Sequence, residues 1–485
     1  MASNKVIILT IVAIIIIIGI FNFLTIKDGH DWGGDFSMYI HHAKNIVEGV
    51  DYRDTGYIYN PNVPLLAPRT YPPVFPLLLA PIYKWFGLNF IIMKIEIVLF
   101  FLLFLFMIFL VFKDKIPFKY LIVFIIIIGF NPIFFDFKNN VLSDIPFLFF
   151  NYLSIFLINK AHQSEKTWKL QILYVVIISI SIYLAYGTRS LGIILIPCLI
   201  IYDIIRNKKL SIFTIAITFL TGIFIALQSV FFHSDIVYLD SFAQLSPRII
   251  LNNISAYSSS FFSLWDNGYI LFFQIVLFIT ICWLAIVGYF VTIKGSITIS
   301  HIFLPLYLVS IIFFPGYQGI RYLFPAVPLF VYYALVGFKK FNFFKRKKIQ
   351  LTAFIILIIA IIISYAGKYT TIDYGPIREG VTKEESVEIF NYIKENTSKE
   401  DIIIFIKPRV LSLFTGRSSS VYHEAQDDKD LWNYIKEINA TYLIVVILDR
   451  GFLYDFVEKY NNNFEEVYSN ADFKMYRIKQ IATNF

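Results

Sequence analysis

Residues 6–24 read VIILTIVAIIIIIGIFNFL, and this stretch decides the class of the fold. It carries no charge and follows a single lysine, Lys5. As a helix it would be roughly 28 Å long, close to the thickness of a bilayer's hydrocarbon core. It exceeds a signal-peptide core and no A-x-A cleavage site follows it, so it is expected to stay in place as a first membrane span. Working outward, the whole chain has the same character. Of 485 residues, 58% are apolar and only 16% charged, where a soluble domain carries ~25% charged residues. Mean hydropathy is +0.67. So few charges cannot cover a soluble surface, and disorder and coiled coils are excluded on the same ground. The expected fold class is a polytopic α-helical membrane protein.

Further apolar runs fall at 90–112, 117–135, 143–158, 170–186, 190–205, 210–231, 269–293, 301–315, 321–338 and 349–366, giving about 11 spans with the first. Loop charges set their direction. With the N-terminus inside, the cytoplasmic segments hold 17 Lys and Arg, including Lys113–Lys119, Lys160–Lys169, Arg206–Lys209 and Lys339–Lys348. The opposite loops hold nine over a greater length. The positive-inside rule therefore puts the loops 25–89 and 232–268 and the tail 368–485 on the outer face. The net charge of +8 divides the same way, into +12 for residues 1–367 and −4 for 368–485. That excess is a topology signal and not a nucleic-acid surface. Cys198 and Cys282 lie within apolar runs and read as buried thiols.

The first outer loop carries Asp35-Phe-Ser-Met-Tyr39-Ile-His-His-Ala43, with apolar residues at helical spacing up to Gly49. This predicts an amphipathic helix along the outer interface, stopped at the glycine. Tyr71-Pro-Pro-Val-Phe-Pro76 then opens a short apolar stretch ending near Gly87, expected to be re-entrant or juxtamembrane. The tail changes character after Gly375-Pro376. Polar helical stretches (Lys383–Glu395, Asp427–Ile438, Gly451–Tyr460) alternate with β-like runs (Asp401–Ile406, Tyr442–Ile447, Phe473–Ile478). The expectation is a membrane domain over 1–367 and a small extracytoplasmic α/β domain over 368–485.

Ionisable residues where loops meet spans need a reason, because burying them is costly. Asp35, Asp144, Arg189 and Arg321 all fall on the outer face. Each carboxylate doubles as a helix cap, and a carboxylate held at a helix start can also act as a base. Each arginine alone reads equally well as an interfacial anchor. Two arginines on one face also suit a phosphate, which the guanidinium fork binds bidentately, and Lys138 adds a third cation. His41, His42 and His233 show no metal-ligand spacing, so no metal or other cofactor is expected. Lys94 and Glu96, at the start of the second long run, read as interfacial.

The order of these features resembles the GT-C membrane glycosyltransferases, in particular the protein O-mannosyltransferases and lipid A aminoarabinose transferases. The resemblance rests on Asp35…Tyr39…Ala43, on Tyr71-Pro-Pro-Val-Phe-Pro-Leu-Leu-Leu-Ala-Pro-Ile-Tyr83, and on Ser143-Asp144-Ile-Pro146-Phe147. Arg189-Ser-Leu-Gly192 and Arg321-Tyr322-Leu-Phe-Pro325 complete it, so that it covers most of residues 1–338. Asp35 is followed by Phe36 and not by a second acid, and the tail lacks β-trefoil spacing. In both respects the chain departs from eukaryotic protein mannosyltransferases.

The resemblance implies an inverting transfer at the outer face of a bacterial inner or plasma membrane. A sugar would pass from a polyprenyl-phosphate donor to a lipid, glycan or protein acceptor. Asp35 and Asp144 would be the catalytic carboxylates, Arg189, Arg321 and Lys138 would bind the donor phosphate, and Tyr39, Tyr71 and Tyr322 would line the substrate. The competing classes are a transporter or flippase, and a non-catalytic polysaccharide assembly protein. A transporter is expected to show broken mid-membrane helices and related halves, and no internal symmetry of that kind is visible.

Overall fold

The apolar stretch that opens the chain forms the helix Asn4–Leu24. The computed structural model describes residues 4–63, 66, 70–163, 167–232, 242, 245–266, 268–340, 347–422, 427–448 and 451–479. Among them, seven helices are long and apolar enough to cross a membrane. After the first come Phe90–Phe112, Trp168–Thr188, Ser190–Asn207, Ile212–Phe232, Leu271–Gly295 and Lys348–Tyr369. The chain is a polytopic helical membrane protein.

Two of the other apolar runs are broken, for local reasons. The run 117–135 divides into Phe118–Gly129 and Pro132–Phe137. Pro132 cannot continue the preceding helix, and the Asn131 side chain caps the next one by accepting from Ile133 N at 3.0 Å. The run 321–338 begins as a 3₁₀ turn, Ile320–Leu323, and becomes the helix Val327–Lys340 only after Pro325. The run 143–158 is one helix, Asp144–Gln163, whose Asn151, Ser154 and Asn159 dilute its apolar character. Lys94, read as interfacial, is fully buried within the protein.

Backbone contacts divide the chain into two compact units, one from Met1–Ile26, Lys94–Gln228 and Gln244–Tyr374 and the other from Lys27–Met93, Ser229–Ala243 and Gly375–Phe485. This grouping differs from a linear division at 367/368, because the first long loop belongs with the tail. In the first unit the helices Leu271–Gly295 and Val327–Lys340 pack backbone to backbone. A Cβ on Gly288 would stand 1.9 Å from the Tyr333 carbonyl oxygen, and one on Gly337 would stand 1.9 Å from that of Leu284. Small residues at such crossings are how membrane helices associate without a hydrophobic driving force. A second pair, Asp144–Gln163 and Trp168–Thr188, is tied by a hydrogen bond from Ser154 Oγ to Ser181 Oγ at 3.1 Å.

The second unit is built on a six-stranded sheet. Its strands are β1 (Tyr57–Ile58), β2 (Ile402–Ile404), β3 (Ser418–Ser420), β4 (Tyr442–Val446), β5 (Phe464–Ser469) and β6 (Phe473–Ile478), in spatial order β1-β3-β2-β4-β6-β5. The first four lie parallel and β6 and β5 antiparallel. Helices Pro408–Thr415 and Asp428–Glu437 connect the parallel strands. One core of the sheet closes on Trp432, stacked on Phe464 with ring centroids 5.5 Å apart. The helix Gly34–Glu48 ends at Gly49 in the left-handed conformation (φ 69°), as the sequence leads one to expect. Its apolar face does not lie on lipid, however. Phe36, Tyr39, Ile40 and Ala43 are buried where this helix packs against Val74–Phe86 and Pro408–Thr415. Val74–Phe86 in turn leaves Leu77, Trp85 and Phe86 exposed, the composition of a segment resting at a membrane interface.

Candidate functional site

Each unit holds one cluster of the residues singled out in the sequence. In the second unit the cluster is centred on Asp35, in the first turn of Gly34–Glu48, where Gly33 takes the cap position. The Tyr71 hydroxyl donates to Asp35 Oδ1 at 2.6 Å, and Arg409 Nη1 donates to that hydroxyl at 2.7 Å. Arg409 Nη1 is itself 3.6 Å from Asp35 Oδ1. The Asp35 side chain is 28% exposed while that of Arg409 is 4% exposed. The carboxylate is thus reachable from outside and its cation is not.

Tyr71 is held from every side. Its ring stacks on Tyr39 at 4.6 Å, its N–H donates to His42 Nε2 at 3.2 Å, and its carbonyl accepts from the Tyr52 hydroxyl at 2.8 Å. His42 Nδ1 lies 2.8 Å from the Tyr52 carbonyl oxygen. One ring nitrogen must accept and the other donate, so His42 is neutral with its proton on Nδ1. Burial acts the same way, pushing His42 down to about 3 and His41 to about 4. With both nitrogens engaged, His42 is not placed to hold a metal. No group of three His, Cys, Asp or Glu fit for a metal occurs among the described residues, and His233 lies outside them.

Arg409 is the residue of this cluster that the sequence did not disclose. It enters on the short helix Pro408–Thr415, stands over the Tyr57 ring at 4.8 Å, and donates from Nη2 to the Leu66 carbonyl. Only its burial marks it, since a guanidinium is seldom enclosed unless paired.

The cluster of the first unit is built on Asp144, at the start of Asp144–Gln163. Arg189 donates from Nη1 to Asp144 Oδ1, and Arg321 Nη1 lies 3.8 Å from Oδ2. The Arg189 guanidinium lies over the Tyr322 ring at 4.4 Å, and Arg321 Nε donates to the Gln318 carbonyl at 3.2 Å. Asp144, Arg189, Arg321 and Tyr322 therefore form one group, with two cations sharing one buried carboxylate. Lys138, fully buried, donates to the Thr25 carbonyl at 2.9 Å and lies 3.7 Å from the centre of the Phe135 ring.

Chemically, the Asp35 cluster offers a partly exposed carboxylate with a fixed orientation. The Asp144 cluster offers a doubly cationic centre, the donor set that carboxylates and phosphates prefer.

Comparison with protein-family models finds no match, and neither does comparison with curated protein sequences. Solved structures do match. The structure of ArnT from Cupriavidus metallidurans bound to undecaprenyl phosphate is 12% identical with a TM-score of 0.56, and the match covers 98% of each chain. Archaeal oligosaccharyltransferase AglB from Archaeoglobus fulgidus, in complex with an inhibitory peptide and a dolichol-phosphate, is 12% identical with a TM-score of 0.64. That match covers 98% of this chain and 75% of AglB. Both are GT-C fold members, ArnT being a lipid A aminoarabinose transferase. At such identity the likeness is one of fold, and it bears out the resemblance read from the motifs.

Proposed function

We propose that this GT-C-fold chain is a membrane glycosyltransferase that moves a sugar from a polyprenyl-phosphate donor to an acceptor hydroxyl, with Asp35 as general base. The observation that carries the reading is the Asp35 carboxylate, part exposed and fixed through Tyr71. The fold supports it, since one neighbour is bound to undecaprenyl phosphate and another to a dolichol-phosphate.

In the transfer, Asp35 takes the proton of the acceptor hydroxyl as the acceptor oxygen forms a bond to the anomeric carbon. The bond from that carbon to the phosphate oxygen breaks on the opposite face, so configuration inverts and polyprenyl phosphate departs. Negative charge grows on that phosphate, and Arg189 and Arg321 are the groups assigned to it. Asp144 orients both guanidinium groups and takes a positioning role in this scheme, Lys138 is assigned to the donor phosphate as a third cation, and Tyr39, Tyr71 and Tyr322 are assigned to line the substrate. A phosphate monoester needs less help in leaving than a nucleoside diphosphate, so in this scheme a divalent ion is dispensable. The loop charges favour the outer face for Asp35, Asp144, Arg189 and Arg321 alike. The same charges support eleven crossings, the shorter helices included, and an extracytoplasmic C-terminal α/β domain.

The test is to offer membranes containing the protein a panel of polyprenyl-phosphate sugars, with and without EDTA. The expected result is consumption of one donor, unchanged by the chelator. A panel left intact in the presence of acceptor-bearing membranes overturns the reading.

A further inference from the structure

Arg409 lies 338 residues after Tyr71 in the chain, yet its guanidinium meets that tyrosine's hydroxyl. Enclosing a guanidinium costs free energy that its partners must offset. Here the partners are the Tyr71 hydroxyl, the Leu66 carbonyl, the Tyr57 ring and the Asp35 carboxylate. The geometry is a chain of donors. Arg409 donates to the phenol, whose own proton is thereby committed to Asp35 Oδ1. A phenol that accepts from a cation is a stronger donor onward, because hydrogen bonds in series polarise one another.

The backbone around this chain leaves it little freedom. His42 and Tyr52 fix the two peptide groups of Tyr71, and Tyr39 covers its ring. On the other side, β1 from the first loop pairs in parallel with β3, which follows the Arg409 helix, through Tyr57↔Ser419 and Ile58↔Ser420. Asn60 Nδ2 adds a hydrogen bond to the Val421 carbonyl at 2.8 Å. The segment bearing Asp35 and the segment bearing Arg409 are thus parts of one sheet unit.

We propose that Arg409 and Tyr71 are positioning residues for Asp35, so that the C-terminal segment completes the catalytic base and is not an accessory to it. The proposal rests on Asp35 being the base. Arg409 supplies a counter-charge that favours the ionised carboxylate, and Tyr71 supplies its direction. Neither exchanges a proton with substrate.

The experiment compares Arg409→Gln, Arg409→Lys, Tyr71→Phe and Asp35→Asn with the wild type, following sugar transfer across pH. Arg409→Gln and Tyr71→Phe should each lower kcat about 10-fold or more, with donor KM within about twofold in Arg409→Gln. The acid limb of the rate profile should move up by about one pH unit in both, because removing a cation or a donor makes a carboxylate harder to ionise. Arg409→Lys should return the limb most of the way. Tyr71→Phe keeps the ring and both backbone bonds, so it reports even if Arg409→Gln does not fold. An acid limb unmoved in Tyr71→Phe, or unmoved in a folded Arg409→Gln, overturns the proposal. If Asp35→Asn is inactive in that case, the base assignment survives and only the positioning role falls. If Asp35→Asn retains transfer, both fall.

Discussion

Arg189 donates a hydrogen bond from Nη1 to Oδ1 of Asp144, 45 residues earlier in the chain, with the two side chains only 11% and 4% exposed. A guanidinium pinned along one edge presents its remaining edge in a set direction, which a lysine in its place would not do. Arg189→Lys and Arg321→Lys should therefore each weaken donor binding about 10-fold or more while keeping the charge. Direct binding of a polyprenyl-phosphate sugar to purified protein measures this. Wild-type affinity in both variants would make the arginines interfacial anchors.

His42 gives the second unit a pH dependence whose sign is determined. Its value in the folded protein is lowered to about 3 from an ordinary 6.5, by burial. The unfolded chain therefore binds the extra proton first as pH falls. Stability is fully present above about 6.5 and is lost progressively toward 3, by about 2 kcal/mol at pH 5. His41, lowered to about 4, acts in the same direction. The thermal midpoint should fall between pH 7 and pH 5, and should fall less in His42→Gln. Equal drops in both proteins would remove His42 from the account.

How far this was legible in advance depends on distance along the chain. Asp35, Tyr39 and Tyr71 stand in local patterns, and the structure brings them together. In the sequence Asp144, Arg189 and Arg321 share only a membrane face, and the fold alone shows that the acid holds both guanidinium groups. Arg409 had no local signature, because Lys407-Pro-Arg409 is an ordinary polar turn until its burial is known. The strands β2, β4 and β6 showed as apolar runs. β3 is three serines, β5 carries Glu465 and Glu466 on a sheet edge, and β1 is two residues long. None of these has a pattern to read, and β1 is the strand that joins the first loop to the tail. Span breaks at Asn131-Pro132 and Pro325 were written in the sequence but hidden inside otherwise continuous apolar runs.

The close crossing at Gly288 and Gly337 predicts an intolerance of side chains at those positions. A Cβ there meets backbone, which cannot rotate away. Gly337→Val should destabilise the protein by at least ~1–3 kcal/mol, the usual cost of overpacking. Gly222→Ala, with nothing within 4 Å of the added carbon, should be nearly neutral. Thermal unfolding in detergent separates the two, and similar midpoints would contradict the packing described.

Sidedness can be read chemically. Ser258 and Ser398 are exposed, as is Lys209 on the opposite set of loops. Ser419 is unsuitable as a reporter, because it is buried in β3 with its Oγ on the Ile403 carbonyl. Ser258→Cys and Ser398→Cys should react with an impermeant thiol reagent applied outside, and Lys209→Cys only after the membrane is opened. Labelling of Lys209→Cys in intact cells would break the orientation on which the outer-face reaction depends.

The central claim is that Asp35 is the base of a sugar transfer from a lipid phosphate. It is tested most directly by following release of polyprenyl phosphate from the consumed donor, with wild type and Asp35→Asn in parallel and donor binding measured on the same samples. Asparagine keeps the size of the side chain and cannot take the proton, so the account predicts turnover lower by ~10²–10⁴-fold with donor binding retained. Turnover within a few-fold of wild type in a folded, donor-binding Asp35→Asn protein would contradict it.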